Sequence, residues 1–168
     1  KKLTKMKKLI IAISLLAICS VQTYAQELYK KVYENATNIV NDPKSSEEQI
    51  QINQFKVTVL NYINSMVQKN KLEKSTYFFD SQAVNMASFI TDFQTNLMKA
   101  RAISTAKRLE VINCYRDATL KYSLFNDTDK ERVLCYVNDK QTYTPFSLDT
   151  DWEKAYKQAS ENVKKIFK

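Results

Sequence analysis

Glu110 and Asp117 stand seven residues apart in a stretch that reads as helix, so two turns bring them nearly into line on one face. Two carboxylates in that relation are the minimum equipment of a glycoside hydrolase, one serving as acid and the other as base or nucleophile. Three of the four arginines, Arg101, Arg108 and Arg116, fall in or beside the same stretch. A guanidinium fork grips carboxylate and phosphate oxygens at two points, so this edge reads as a site for an anionic ligand. The same residues also fit a plainer arrangement, in which the arginines pair with Glu110 and Asp117 on a solvated helix face.

Other chemistry is excluded by composition. The chain contains no glycine, and a phosphate-cradling loop, a dinucleotide turn and a nucleophile elbow each need a backbone without Cβ at defined points. It contains no histidine either. That removes the usual general base, the imidazole ligands of catalytic zinc, and the Glu-x-x-His pairs of di-iron bundles. No catalytic motif, metal site or cofactor is therefore expected.

The first residues read as an export signal. Lys7 and Lys8 precede an apolar run from Leu9 to Ile18, and Thr23-Tyr24-Ala25 has the small-residue pattern of a cleavage site, which predicts a mature chain starting at Gln26. Lys1 to Lys5, ahead of Met6, read as a gene start placed too early. The apolar run is about half the ~20 residues of a spanning helix, so no membrane span is expected. Leu16-Ala17-Ile18-Cys19 looks like a lipid-attachment box, but Ile18 stands where such boxes have a small residue. Removing Lys1, Lys2, Lys5, Lys7 and Lys8 with no acid takes the formal net charge from +8 to +3. Lysines alternate with acids along every remaining segment, which does not make the basic stripe of a nucleic-acid binder. Residues 26–168 are of a length that suits one domain.

Cys114 and Cys135 are the cysteines of that domain. In an oxidising compartment they form a disulfide if their Cα atoms come close enough; otherwise they are two small buried residues.

The element that must hold these residues in place runs from Glu47 to Val67. Ile52, Phe55, Val59, Tyr62 with Ile63, and Met66 recur every three to four residues, the spacing of one helical face. Ser45 with Glu48, or Ser46 with Gln49, supplies its capping box. A preceding helix runs from about Glu27 to Asn41, ended by Asn41-Asp42-Pro43. Tyr77-Phe78-Phe79 is either an exposed aromatic patch or a helix start, with Phe79 ahead of an Asp80 cap and packed on Val84. The helix that follows would run uninterrupted to Tyr122, about 42 residues or ~60 Å. A domain of this size is only about 35–40 Å across. A break is required, and Ser104 or Thr105 is the best cap for the next helix, with Leu109, Ile112, Tyr115, Thr119 and Tyr122 facing inward.

Thr128 with Glu131 caps a short helix over about Asp129 to Asn138. Asp139 to Leu148 is a loop stiffened by Pro145, and Thr150 with Glu153 caps a final helix striped by Trp152, Ala155, Tyr156, Ala159, Val163 and Ile166. The fold predicted is all-α: a single compact bundle of five to six helices.

Gln54-Phe55-Lys56-Val57 with Leu60-Asn61-Tyr62, Phe79-Asp80-Ser81-Gln82-Ala83, and Thr144 through Ala155 resemble stretches of an uncharacterised family of small exported bacterial all-α proteins with no assigned activity. The resemblance implies export and a helical fold, and supplies no catalytic residue. The expected role is a binding or interaction module in the periplasm or outside the cell, its partner a protein or glycan of the envelope. The alternatives are a hydrolase of envelope or dietary glycans built on Glu110 and Asp117, and a periplasmic holdase with an exposed apolar groove. The stretch from Thr144 to Trp152 reads as either a binding loop or a fitted cap on the core.

Overall fold

A computed structural model describes residues 27–168; the expected signal, its cleavage after Ala25 and the Cys19 box lie outside the described residues. Local rules place the helices. Ser46 rather than Ser45 starts the organising helix: its hydroxyl accepts from the Gln49 amide at 3.2 Å, while Oε1 of Gln49 accepts from the Ser46 amide at 2.8 Å. In chain order the helices are α1 (Glu27–Asn41), α2 (Glu47–Lys69), α3 (Thr76–Arg101), α4 (Thr105–Lys121), the single turns α5 (Lys130–Val133) and α6 (Cys135–Asn138), and α7 (Trp152–Ile166). The described residues contain no strand. The protein is an all-α helical bundle.

Without glycine, left-handed turns fall to other residues. Lys71, just beyond α2, has φ 51°, and Asn126 has φ 53°. Lys71 there costs about 1–2 kcal/mol in Cβ crowding, offset in part by the Leu72 amide, which closes the helix end onto the Val67 carbonyl at 3.0 Å.

Three caps differ from the sequence reading. Ser75, not Asp80, starts α3 by accepting from the Phe78 amide. Asp80 is occupied elsewhere: Oδ1 accepts from the Tyr29 amide at 2.8 Å and so caps α1 from outside its own helix. Phe79 is buried against Tyr29, ring centroids 5.7 Å apart, whereas Val84 is exposed. Asp129 caps α5 in place of Thr128, and Asp151 caps α7 in place of Thr150. The Thr150 hydroxyl turns inward and donates to the Ser147 carbonyl at 2.7 Å. The short helix expected over Asp129–Asn138 is interrupted at Leu134. Its Val133 carbonyl is taken by the Leu148 amide at 2.9 Å, so it is not free to continue the helical ladder.

In α4 the inward face is Val111, Tyr115, Ala118 and Thr119, and Leu109 is 53% exposed. The Tyr115 hydroxyl fixes that rotation, donating to Asp92 at 2.5 Å and accepting from Asn96 at 2.9 Å. Leu109 lies two residues before Val111, hence about 200° around the helix from it.

The centre of the bundle is aromatic. Phe146 and Trp152, from the segment ahead of α7, stand between α2 and α3: Phe146 is 6.0 Å from Phe55, 5.1 Å from Phe89 and 5.0 Å from Phe93, and Trp152 is 6.1 Å from Phe55 and 5.4 Å from Phe89. These rings meet edge to face or steeply tilted, as their quadrupoles prefer. Thr144, Phe146 to Thr150, and Trp152 are all buried. Most of Thr144 to Trp152 is thus core, packed as the fitted cap, with the half-buried Pro145 at its outer edge.

Candidate functional site

The turn between α3 and α4 is short because Ser104 both caps α4, accepting from the Lys107 amide at 3.1 Å, and closes α3 by donating its own amide to the Ala100 carbonyl at 3.1 Å. Arg101 ends one helix and Arg108 lies in the first turns of the next, so this turn puts both residues on one cleft. A third wall comes from the loop ahead of α7. Asp139 folds back on itself, its carboxylate accepting from the Gln141 amide at 2.9 Å, and Phe146 pins the other end of the loop in the core. Lys140, Thr142 and Tyr143 are thereby held against the cleft, and Glu48 and Ile52 of α2 close it.

The cleft measures about 530 Å³, within the ~300–1,000 Å³ of small-molecule sites. The half-buried Leu97, Ile112 and Pro145 form an apolar floor over the buried Ile52 and Phe93, and Met98 and Tyr143 are exposed at the rim. Arg101, Arg108 and Lys140 have no carboxylate partner among the described residues. Unpaired cations over an apolar floor can hold an anionic group and cover the rest of the molecule that bears it.

The structure keeps two of the three arginines expected at this edge. Arg116 instead faces Asp117, 3.4 Å away. Glu110 pairs with Lys107 at 3.0 Å. Both carboxylates are exposed on α4 and neither lines the cleft; Asp117 borders a shallow groove beside Cys114, Lys121 and Gln158.

Cys114 and Cys135, considered above as a disulfide pair, are both free cysteines in this structure. Cys114 is turned toward α7, its Sγ donating to the Ala159 carbonyl at 3.9 Å. Burial, with the charges of Asp117 and Asp92, pushes its thiol up to about 11, so it is protonated and unreactive near neutrality. Lys140 and Tyr143 were not legible as site residues. Their only local signal is the Asp139 turn, which marks a loop but not what the loop faces.

A second polar cluster lies between α4 and α5 and is structural. The buried Asp149 carboxylate accepts from the amides of Leu124, Phe125 and Asp127 at 3.1, 2.8 and 2.9 Å and from the Ser123 hydroxyl. Asp127 in turn accepts from the Arg132 guanidinium and, at 3.0 Å, from the Tyr62 hydroxyl. Burial raises the Asp127 carboxyl, but hydrogen bonds from the Asp129 amide, Arg132 and Tyr62 outweigh it and hold the group below the usual carboxylate range. A carboxyl held lower in the folded than in the unfolded chain stabilises the fold fully above about pH 4, the unfolded value. That contribution is lost as pH falls through the folded value. Melting temperature should therefore drop on acidification below about pH 4, and Asp127→Asn should flatten the drop. An unchanged acid profile in the variant would show that Asp127 does not carry this dependence.

No protein-family model, curated protein or solved structure matches the chain. Among the described residues no group of three or more potential ligands is placed to hold a metal ion, and no helix is long and apolar enough to cross a membrane.

Proposed function

We propose that the protein is an exported, non-enzymatic binding module that takes an anionic ligand in the cleft between α3, α4 and the Lys140–Pro145 loop. The observation that carries this reading is the trio Arg101, Arg108 and Lys140, unpaired over an apolar floor. All three are exposed, and they border a cavity that can hold a ligand. Export is supported by Lys7, Lys8, the Leu9–Ile18 run and Ala25, and N-terminal sequencing of protein from its native host should start at Gln26.

The binding test uses 2-naphthalenesulfonate, an aromatic body with one anionic group, titrated into isotope-labelled protein while amide NMR shifts are recorded. Shifts should concentrate in Gln94–Arg101 and Lys140–Tyr143. Arg101→Glu with Arg108→Glu should weaken binding by about tenfold or more, roughly 1.4 kcal/mol or above. Arg116→Glu should leave it unchanged. Shifts scattered over the surface, or equal losses from the Arg116 variant, would refute the cleft as an anion site.

A further inference from the structure

The cleft does not stop at Gln94. A second hollow of about 410 Å³ adjoins it, sharing Glu48, Ile52 and Gln94, and is bordered by Lys56. Burial holds the Lys56 amine below its ordinary value, and no carboxylate pairs with it among the described residues. Each of two adjoining hollows thus has its own unpaired cation: Lys56 in one, the Arg101, Arg108 and Lys140 group in the other.

The walls between these charges are amides and hydroxyls. Gln49, Asn53 and Gln94 line the first hollow, and Thr91, Gln141 and Thr142 the second. Side-chain amides donate and accept at once, so Gln94, Gln141, the N–H₂ of Gln49 and the Asn53 oxygen can meet hydroxyl groups arrayed along a ligand, while the Gln49 oxygen is taken by the Ser46 amide and Nδ2 of Asn53 donates to the Gln49 carbonyl. Tyr143, 37% exposed, offers a ring at the rim. A peptide is the poorer fit. Extended peptides add to a free sheet edge and helical ones need a deep apolar groove, but the described residues have no strand, and Ile52 and Phe93 beneath the hollows are only 4% and 2% exposed, which leaves the apolar floor shallow. Glu48, at the junction and itself unpaired among the described residues, accepts hydroxyls and repels an uninterrupted run of negative charge.

We infer that the joined groove binds an acidic oligosaccharide, carrying carboxylate or sulfate, with anionic groups spaced so that Lys56 holds one and Arg101, Arg108 and Lys140 hold another. This rests on the anion-binding reading of the cleft.

Calorimetric titration of the purified protein tests it with galacturonic acid, a galacturonic acid hexamer, a sulfated galactan hexasaccharide, its unsulfated counterpart and hexaglutamate. At least one acidic hexasaccharide should bind about tenfold or more tighter than the monomer, the neutral sugar and hexaglutamate. The carboxylate and sulfate arms tell which anion is read. Lys56→Met, at a half-buried position that need not disturb the core, should cost about tenfold for the hexasaccharide and nothing for 2-naphthalenesulfonate. The inference is overturned if hexaglutamate binds as well as both acidic sugars, or if Lys56→Met leaves hexasaccharide affinity unchanged. Retained naphthalenesulfonate binding in either case leaves the anion cleft standing, whereas loss of every anion removes both readings.

Discussion

Phe146→Ala should lower the unfolding free energy by about 3–5 kcal/mol, the range for removing a fully enclosed aromatic ring. Phe146 is wholly buried, and three phenylalanines from α2 and α3 pack on its ring. Truncation removes the transfer free energy of the ring and leaves a cavity that two long helices cannot close by small movements. A domain of ordinary stability has about 5–15 kcal/mol in total, so this one change takes a large share. Urea unfolding followed by circular dichroism measures it, with Tyr77→Ala as the control. Tyr77 is 74% exposed, and its loss should fall within about 0.5 kcal/mol of zero. A cost for Phe146→Ala below about 1 kcal/mol would mean that the segment before α7 is not a core element. Because the same loop carries Lys140 and Tyr143, the variant should also weaken anion binding while leaving the α3–α4 turn in place.

The second large effect is expected at Asp149. Its two carboxylate oxygens receive four donors, three of them backbone amides of the Ser123–Asp127 turn. Hydrogen bonds to a charged group contribute about 1.5–3 kcal/mol each, but they are not additive when one group receives them all. Asp149→Asn keeps the shape and turns one acceptor into an N–H₂ facing donors, so it should cost on the order of 3 kcal/mol. Ser123→Ala removes a single donor from the same set and should cost about 1 kcal/mol. Equilibrium unfolding of the two variants distinguishes a hub from an ordinary cap: similar small costs for both would show that Asp149 does not organise the turn. The turn needs such an anchor, since without glycine it places Asn126 at φ 53° and turns its amide onto the Ser123 hydroxyl at 2.7 Å.

The helices were legible because what specifies them is local. An apolar residue every three or four positions marks the buried face of α2. A serine three residues before a glutamine marks its start, and length against domain width forces the break at Ser104. Those signals need no knowledge of neighbours, and α1 and the boundary between α3 and α4 follow from them. Caps were less certain where several Ser, Thr and Asp stand together, as at Thr128–Asp129 and Thr150–Asp151. Each can accept the same amides, and at Thr150 the hydroxyl is spent on the Ser147 carbonyl, which leaves the cap to Asp151.

The candidate site was only half visible. Arg101 and Arg108 stood out by residue type, but that Arg116 turns to Asp117 while Lys140 joins them depends on how α3, α4 and the loop pack. The burial of Phe146 was not legible for the same reason, since a loop has no period from which an inward face can be read. Local periodicity and caps established the all-α class, and composition alone ruled out glycine- and histidine-dependent chemistry. Tertiary packing alone decided which segment plugs the bundle and which cations share a cleft. Contacts between residues as far apart in the chain as Phe55 and Phe146 are selected by the shape and charge of whole surfaces, and no short stretch of sequence carries that information.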